Sequence, residues 1–466
     1  MLWLCPVGAA HADAGLHVQL EAATFSYKHH VAPRPVRAVL EELGLLGLGF
    51  AHYIANRDAN SVDWQFRYSL NSLPHKLSGY SFDTNQFDTN FVMHPASGTL
   101  YYLAARGNRL SWWQSLAYAV VASLIWEVFG EFREETSVND LWVTPLSGLI
   151  LGETTFQLGA LFDRGCVSPV NSAFGTLLAP TKAVHDALDG AVLHRDVECD
   201  RHGFSRSGAH ELRFYLGGAA VYSPATRTLN PETQALLHTS VTALSGYGRP
   251  GRELRAFGDA NISEFWLRAS FAATLSDFGL GSRIVPIGLH YRALTEDPNT
   301  LVTRGDEVLF GLSLALEYSK HDYVAESSRV EDRLFMIHAP GLSVRYRYLT
   351  SGLTAEFSLQ ASGTFAGVNT FAMQHSRYRA ATNSLPAVMR KERYDYALGL
   401  MLYPRAVLYA RHFELGFEAQ AIHLWGVTVM DRNAGFDRHP TIVELKRFAM
   451  VWVSLAPAAW PWHFML

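Results

Sequence analysis

The sequence predicts an α+β protein: an N-terminal helical domain followed by a C-terminal antiparallel transmembrane β-barrel of about 10–12 strands. Apolar residues recur at helical spacing between about residues 95 and 188, and after about residue 205 they recur at every second position. Between them, ionisable residues are threaded through the apolar helical stretch, where burial costs several kcal/mol unless they are paired.

A chain of 466 residues is too long for one ordinary core. The formal charge of −4 and pI near 6.6 provide no basic patch, so nucleic acid is not an expected partner. A hydrophobic content of 48% with mean hydropathy of +0.02 is low for a helical membrane protein. It suits a barrel, where an apolar lipid face and a polar lumen average out.

Residues 1–12 read as a signal peptide cut short of its basic start, with Ala10, His11 and Ala12 in the small-x-small form of a cleavage site. Cys5 falls in this segment, and Leu4 is a poor lipobox residue. Residues 13–60 form an N-terminal extension with an amphipathic helix over about 34–54, carried by Val36, Val39, Leu40, Leu43 and Phe50. Residues 61–190 form the helical motif domain, 191–208 a linker and 209–466 the barrel. Cys166 and Cys199 either pair across the connection or stay free.

Within the motif domain, residues 62–91 read as short extended pieces and turns, including the tandem Phe82-Asp-Thr-Asn85 and Phe87-Asp-Thr-Asn90. Carboxylates in that tandem could hold calcium, and Asx turns explain them equally well. Pro95 fits the first position of a helix running to Arg106 and Gly107. Ser111 caps a second, Ser137 and Asp140 have the form of a capping box for a third, and further helices follow near 141–162 and 170–188. None of the helices between 95 and 188 reaches the roughly 20 apolar residues of a bilayer span.

The strands are explicit. Val308, Phe310, Leu312, Leu314, Leu316 and Tyr318 share one face, while Glu307, Gly311, Ser313 and Glu317 share the other. Leu353 to Ala361 and Phe413 to Ala419 alternate likewise, with charges on the inner face, and Tyr318, Tyr348, Trp425 and Trp452 stand near strand ends. The terminal Trp460-Pro-Trp-His-Phe-Met-Leu466 departs from a closing strand ending on an aromatic residue.

Three ordered groups carry a resemblance. Asp88, Asn90, His94, Pro95, Gly98, Tyr101, Tyr102, Ala105 and Arg106 come first, then Ser123, Trp126, Glu127 and Glu131. Ser137, Asn139, Asp140, Thr144, Pro145, Gly148, Gly152 and Glu153 complete the set. Over about residues 60–190 it resembles an uncharacterised bacterial domain family found in predicted outer-membrane proteins. The resemblance implies an outer-membrane location and no particular activity.

Ser123, Glu127 and Glu131 recur every fourth residue, with Ser115 and Ala119 extending the stripe as a small-residue track. One reading is structural: a buried polar network of Arg106, Glu131, Asn139 and Glu153, with Arg106 paired to Glu127 or Glu131 and Asp140 as a helix cap. The other is catalytic, with His94 as general base beside Glu127 and Asp140 in a hydrolase acting on lipid or lipopolysaccharide. A divalent metal on His94, Glu127 and Glu131 is a third, although no cofactor is required. His29, His30, His75 and His185 read as solvated. The favoured expectation is a non-enzymatic envelope protein whose helical plug or cap governs binding or passage of a small or lipidic molecule, with outer-membrane lipids as partners.

Overall fold

The computed structural model describes residues 27–55, 69–83, 85–193, 199, 203–205, 209–223, 228–244, 246–271, 275–299, 302–325, 328–371, 394–410, 413–426, 443–455 and 464–465. The signal-peptide segment, Cys5 and most of the terminal 460–466 run lie outside these. Helices fill the N-terminal half and one large, curled antiparallel sheet fills the C-terminal part.

The helices are α1 (Pro35–Ala55), α2 (Leu73–Ser78), α3 (His94–Gly107), α4 (Trp112–Ile125), α5 (Asp140–Ser147), α6 (Glu153–Arg164), α7 (Pro169–Leu178) and α8 (Pro180–Leu188). Three π-helical turns extend them: Thr89–Met93 leads into α3, Trp126–Gly130 continues α4, and Gly148–Gly152 joins α5 to α6. Where described, the 62–91 stretch is more helical than its turn-rich sequence suggests, because Pro74 sits in the first turn of α2 and the second Phe-Asp-Thr-Asn copy enters the first π turn. A two-residue parallel pair, β1 (Tyr80–Ser81) with β2 (Thr136–Ser137), ties the segment before α3 to the segment before α5. Ser111 caps α4 in a full capping box with Gln114. Cys166 and Cys199 form a disulfide.

The face of α1 is the reverse of the amphipathic expectation. Val36, Val39, Leu40, Leu43 and Phe50 are exposed, whereas Ala38, Glu42 and Leu46 are buried. α1 is also the one described helix long and apolar enough, by length and composition, to cross a membrane.

The sheet comprises β3 (Ala209–Ser223), β4 (Thr228–Thr242), β5 (Gly251–Phe257), β6 (Ile262–Phe271), β7 (Leu275–Glu296), β8 (Thr303–Ala325), β9 (Ser328–Leu349), β10 (Leu353–Asn369), β11 (Asp395–Ala410), β12 (Phe413–Gly426), β13 (Val443–Leu455) and β14 (Phe464–Met465). Neighbours pair antiparallel in chain order, except that β5 and β6 share β7 end to end.

Side-chain contacts fix its concave face. Gln420 on β12 donates to Glu317 on β8 at 3.0 Å, and Arg213 on β3 donates to Glu414 on β12 at 2.7 Å. Strands so far apart in pairing order touch only across the inside of a strongly curled sheet. Arg283 with Gln360, Arg347 with Glu307 and Arg405 with Glu356 fill the same interior. They leave a cavity of about 90 Å³.

The helices pack on the opposite, convex face. Ile284, Leu314, Leu316, Phe335 and Ile337 form one apolar cluster with Phe87, Phe91, Tyr101 and Ile150, while their strand neighbours Arg283, Glu317 and His338 line the interior. Asn90 Nδ2 donates to the hydroxyls of Tyr394 at 3.0 Å and Tyr396 at 2.9 Å. Trp112 Nε1 donates to the Gly258 carbonyl at 2.7 Å, and the Thr154 and Ser282 hydroxyls bond at 2.6 Å. The Phe91 ring lies so close over Gly367 that a Cβ there would sit 2.1 Å from it. The described helices therefore lie against the outer wall, where Ile284, Leu314, Leu316, Phe335 and Ile337 offer apolar side chains to pack against.

α3 crosses the α5–π segment backbone to backbone. A Cβ on Gly98 would lie 1.8 Å from the Thr144 carbonyl oxygen, and one on Gly148 would lie 2.3 Å from the Gly98 carbonyl oxygen. Gly98→Ala is expected to cost more than about 3 kcal/mol, since backbone cannot yield as a side chain does. Urea unfolding in detergent, followed by protease resistance of the helical domain, measures it.

Candidate functional site

The Gly98–Gly148 crossing separates two buried polar clusters. On one side, Arg106 forms a bidentate pair with Glu153, Nε to Oε2 at 2.9 Å and Nη2 to Oε1 at 3.1 Å. Tyr102 and Gln157 also donate to Glu153, each at 2.5 Å, and Arg106 stacks on Phe156 at 4.4 Å. Burial lowers the Arg106 pKa, but Glu153 and its neighbours more than offset this and hold it above the ordinary guanidinium value. Arg106 is thus partnered by Glu153 and not by Glu127 or Glu131. The helical stripe pointed to the wrong carboxylate because the π turn at Trp126–Gly130 breaks the four-residue spacing.

On the other side, His94, at the start of α3, faces Asp140, the first residue of α5. His94 Nε2 lies 3.7 Å from Asp140 Oδ2, and His94 Nδ1 lies 3.3 Å from Thr144 Oγ1. Asp83, just after β1, closes the group: one ligand atom from each of Asp83, His94 and Asp140 fits within 4.8 Å of the others. Asn139 holds this side together, accepting from Asp83 N at 2.7 Å and Ser137 Oγ at 2.9 Å and donating to Asp140 Oδ1 at 2.8 Å. Glu127 Oε2 accepts from Ser137 N at 2.9 Å, and Glu131 Oε1 accepts from Trp126 Nε1 at 3.0 Å. Asp140 does not act as the reciprocal half of a capping box, because Asn139 and His94 engage its carboxylate while Ser137 Oγ alone accepts from Asp140 N at 3.2 Å.

Every residue of this cluster is buried: Glu127 and Asp140 are 0% exposed, Asp83 and Asn139 1%, Glu131 4% and His94 7%. Burial, with Glu131 and Asp140 adding to it, holds the Glu127 carboxyl well above its usual range. Burial likewise raises Glu131, against the opposing pull of His94. Asp140 is pushed up to about 7 by burial, again opposed by His94. Burial lowers the His94 pKa, but Asp140, Glu131 and Asp83 overcome it, so the imidazole lies above its ordinary value.

Two features escaped sequence reasoning. The sequence offers Asp83 as an Asx-turn residue or a calcium-binding carboxylate without linking it to His94 or Asp140, and its Oδ1 does accept the Asn85 N–H of an Asx turn at 3.1 Å. The register that brings Asp83 beside His94 and Asp140 is invisible in sequence. A second ionic cluster links α1 to α8: Arg37 and Arg109 to Asp189, Lys182 to Asp163 and Asp186, and His185 Nε2 to Glu41 at 2.8 Å. His185 is therefore buried and bonded rather than solvated, while His29, His30 and His75 are exposed.

Fold and site together define an α+β protein whose helical domain, docked on the convex wall of a curled antiparallel sheet, encloses a histidine–carboxylate cluster. Residues 79–181 match the family described as "Domain of unknown function (DUF3943)", which spans both polar clusters and all three π turns. No curated protein and no solved structure matches the chain.

Two outcomes follow from these environments. Arg106→Ala leaves Glu153 charged and buried, at an expected cost of about 3–5 kcal/mol, whereas Arg106→Met combined with Glu153→Met recovers most of it; urea titrations of the three proteins compare them. Glu42 has no hydrogen bond on either oxygen, and burial, with Glu41 adding to it, raises its pKa to about 8. The folded state then holds a proton that the unfolded state has released between the ordinary carboxylate range and pH 8, so stability falls as pH rises through that window. Glu42→Gln should flatten that fall in unfolding curves taken from pH 5 to pH 8.

Proposed function

We propose that this chain is a non-enzymatic bacterial outer-membrane protein, in which the strands span the bilayer as a closed barrel and the helical domain on its outer wall binds a lipidic molecule. One observation carries the reading: the apolar side chains face outward on both parts of the molecule. Leu398, Leu400 and Leu402 on β11, Leu212, Phe214 and Leu216 on β3, and Val121, Phe129 and Trp142 in the helical domain are all exposed. Water penalises such a surface and a bilayer does not. The ion-paired interior, with its cavity of about 90 Å³, is small beside the roughly 300–1,000 Å³ of a ligand pocket, so binding at the outer wall is favoured over passage through the barrel.

The lipid hydrolase built on His94, Glu127 and Asp140 is the weaker reading. Glu127 and Asp140 are sealed from solvent and His94 nearly so. A general base must reach the proton it abstracts from substrate, and here the neighbours of His94 are Thr144 and Asp140.

The expressed full chain is expected in the outer-membrane fraction, with gel migration that shifts on boiling. Leu400→Arg, placing a charge at a position 60% exposed, should cost about 2–4 kcal/mol of barrel stability if that position faces mid-bilayer. A soluble chain without a heat shift, indifferent to Leu400→Arg, would sink the proposal.

A further inference from the structure

We propose that Asp83, His94 and Asp140 hold a divalent transition-metal ion of the Zn2+ or Mn2+ class. The inference stands apart from where the protein resides, because it rests on the interior of the helical domain alone. Each of the three side chains has one polar atom anchored by the protein, and together they offer three ligand atoms within 4.8 Å of one another. Asp83 Oδ1 accepts from Asn85 N at 3.1 Å, and Asp140 Oδ1 accepts from Asn139 Nδ2 at 2.8 Å. The remaining oxygens, Asp83 Oδ2 and Asp140 Oδ2, are buried without a hydrogen-bond donor, on residues 1% and 0% exposed. Buried polar atoms are rarely left so, and each such orphan calls for a partner.

His94 completes the set in the same manner. His94 Nδ1 lies 3.3 Å from the Thr144 hydroxyl and Nε2 lies 3.7 Å from Asp140 Oδ2, so that with a cation bound Nδ1 would donate to Thr144 and Nε2 would face the ion. An imidazole oriented by a hydroxyl through one nitrogen, leaving the other free, is the arrangement that supports metal ligation. One nitrogen and two carboxylate oxygens suit a first-row divalent ion better than the all-oxygen shell of Ca2+ or the water-rich shell of Mg2+. The ligands come from three separate segments: the loop after β1, the start of α3 and the start of α5. A bound ion therefore staples the domain where its backbone is least regular. Glu127, 0% exposed with Oε2 bound to Ser137 N, lies outside the ligand set.

The test uses the full chain folded in detergent, stripped with a chelator and titrated separately with ZnCl2 and MnCl2, bound metal being counted by mass spectrometry. One equivalent of at least one ion is expected. Asp83→Asn and Asp140→Asn, each keeping the hydrogen bond that its anchored oxygen accepts, should weaken binding at least about 10-fold with unchanged circular dichroism, whereas Glu127→Gln should bind as the parent does. Substoichiometric binding of both ions overturns the proposal, as do Asn variants that bind like the parent or a Glu127→Gln protein that loses the metal. Should the Asn variants not fold, X-ray absorption of the Zn2+-loaded parent decides. A nitrogen and oxygen shell with imidazole scattering supports the assignment, and a shell with sulfur or without imidazole overturns it.

Discussion

A β-strand has two faces, and in this sheet the concave one carries the ion pairs. Glu264, Arg283, Glu307, Glu317, Arg345, Glu356 and Arg405 all turn to the concave side, where curvature brings distant strands within hydrogen-bonding reach. Alternation then obliges the intervening residues to face outward, and most of these are Leu, Ile, Phe or Tyr. The helical domain buries its own apolar residues against this outward apolar face, as Phe87, Phe91, Tyr101 and Ile150 do with Ile284, Leu316, Phe335 and Ile337. The hydroxyls of Tyr394, Tyr396 and Ser282 are polar exceptions on that wall; Asn90 bonds the first two and Thr154 the third.

Within the helical domain, the contact of Gly98 with Thr144 and Gly148 plays a similar ordering role. Because α3 and the α5–π segment touch at their backbones, residues one turn to either side are forced together. His94 meets Thr144 and Asp140 on one side; Tyr102 and Arg106 meet Glu153 on the other. Both polar clusters are consequences of one close crossing. The π turns adjust the phase of each helix so that Asn90, Glu127 and Glu153 turn inward without moving the crossing.

Strands with strict alternation were legible from sequence because period two needs no knowledge of neighbours, and Leu353 to Ala361 pairs over its whole length with β9 and β11. Helix starts at Pro95 and Ser111 were legible because caps are local chemistry. Burial of Arg106, Glu127, Glu131, Asn139, Asp140 and Glu153 was also anticipated, since each interrupts an apolar run. Partners were not: Arg106 and Glu153 lie 47 residues apart, and the regular-helix assumption failed at the one turn where it was used to choose between carboxylates. α1 was misread for a different reason. The rule that apolar faces turn inward does not hold on this helix, where Glu42 is buried while Leu40 and Leu43 are exposed.

Four carboxylates, those of Asp83, Glu127, Glu131 and Asp140, are enclosed with two groups able to carry positive charge, His94 and Lys76. The Lys76 ammonium donates to the carbonyls of Glu131 and Glu134 at 2.9 and 2.7 Å and so secures the turn after the second π segment. Its charge also favours the ionised forms of Glu127 and Glu131, but burial outweighs it and leaves both carboxyls raised. Well-packed apolar residues of similar volume would serve stability as well or better, and π turns are uncommon in helices that only need to pack. A local arrangement that departs from the stability optimum in both respects, inside a domain otherwise closed by ordinary apolar contacts, is the signature of a site. Burial sets the acids against one another, and protons retained under burial or the divalent cation proposed above would each compensate them, with His94 the imidazole that faces Asp140.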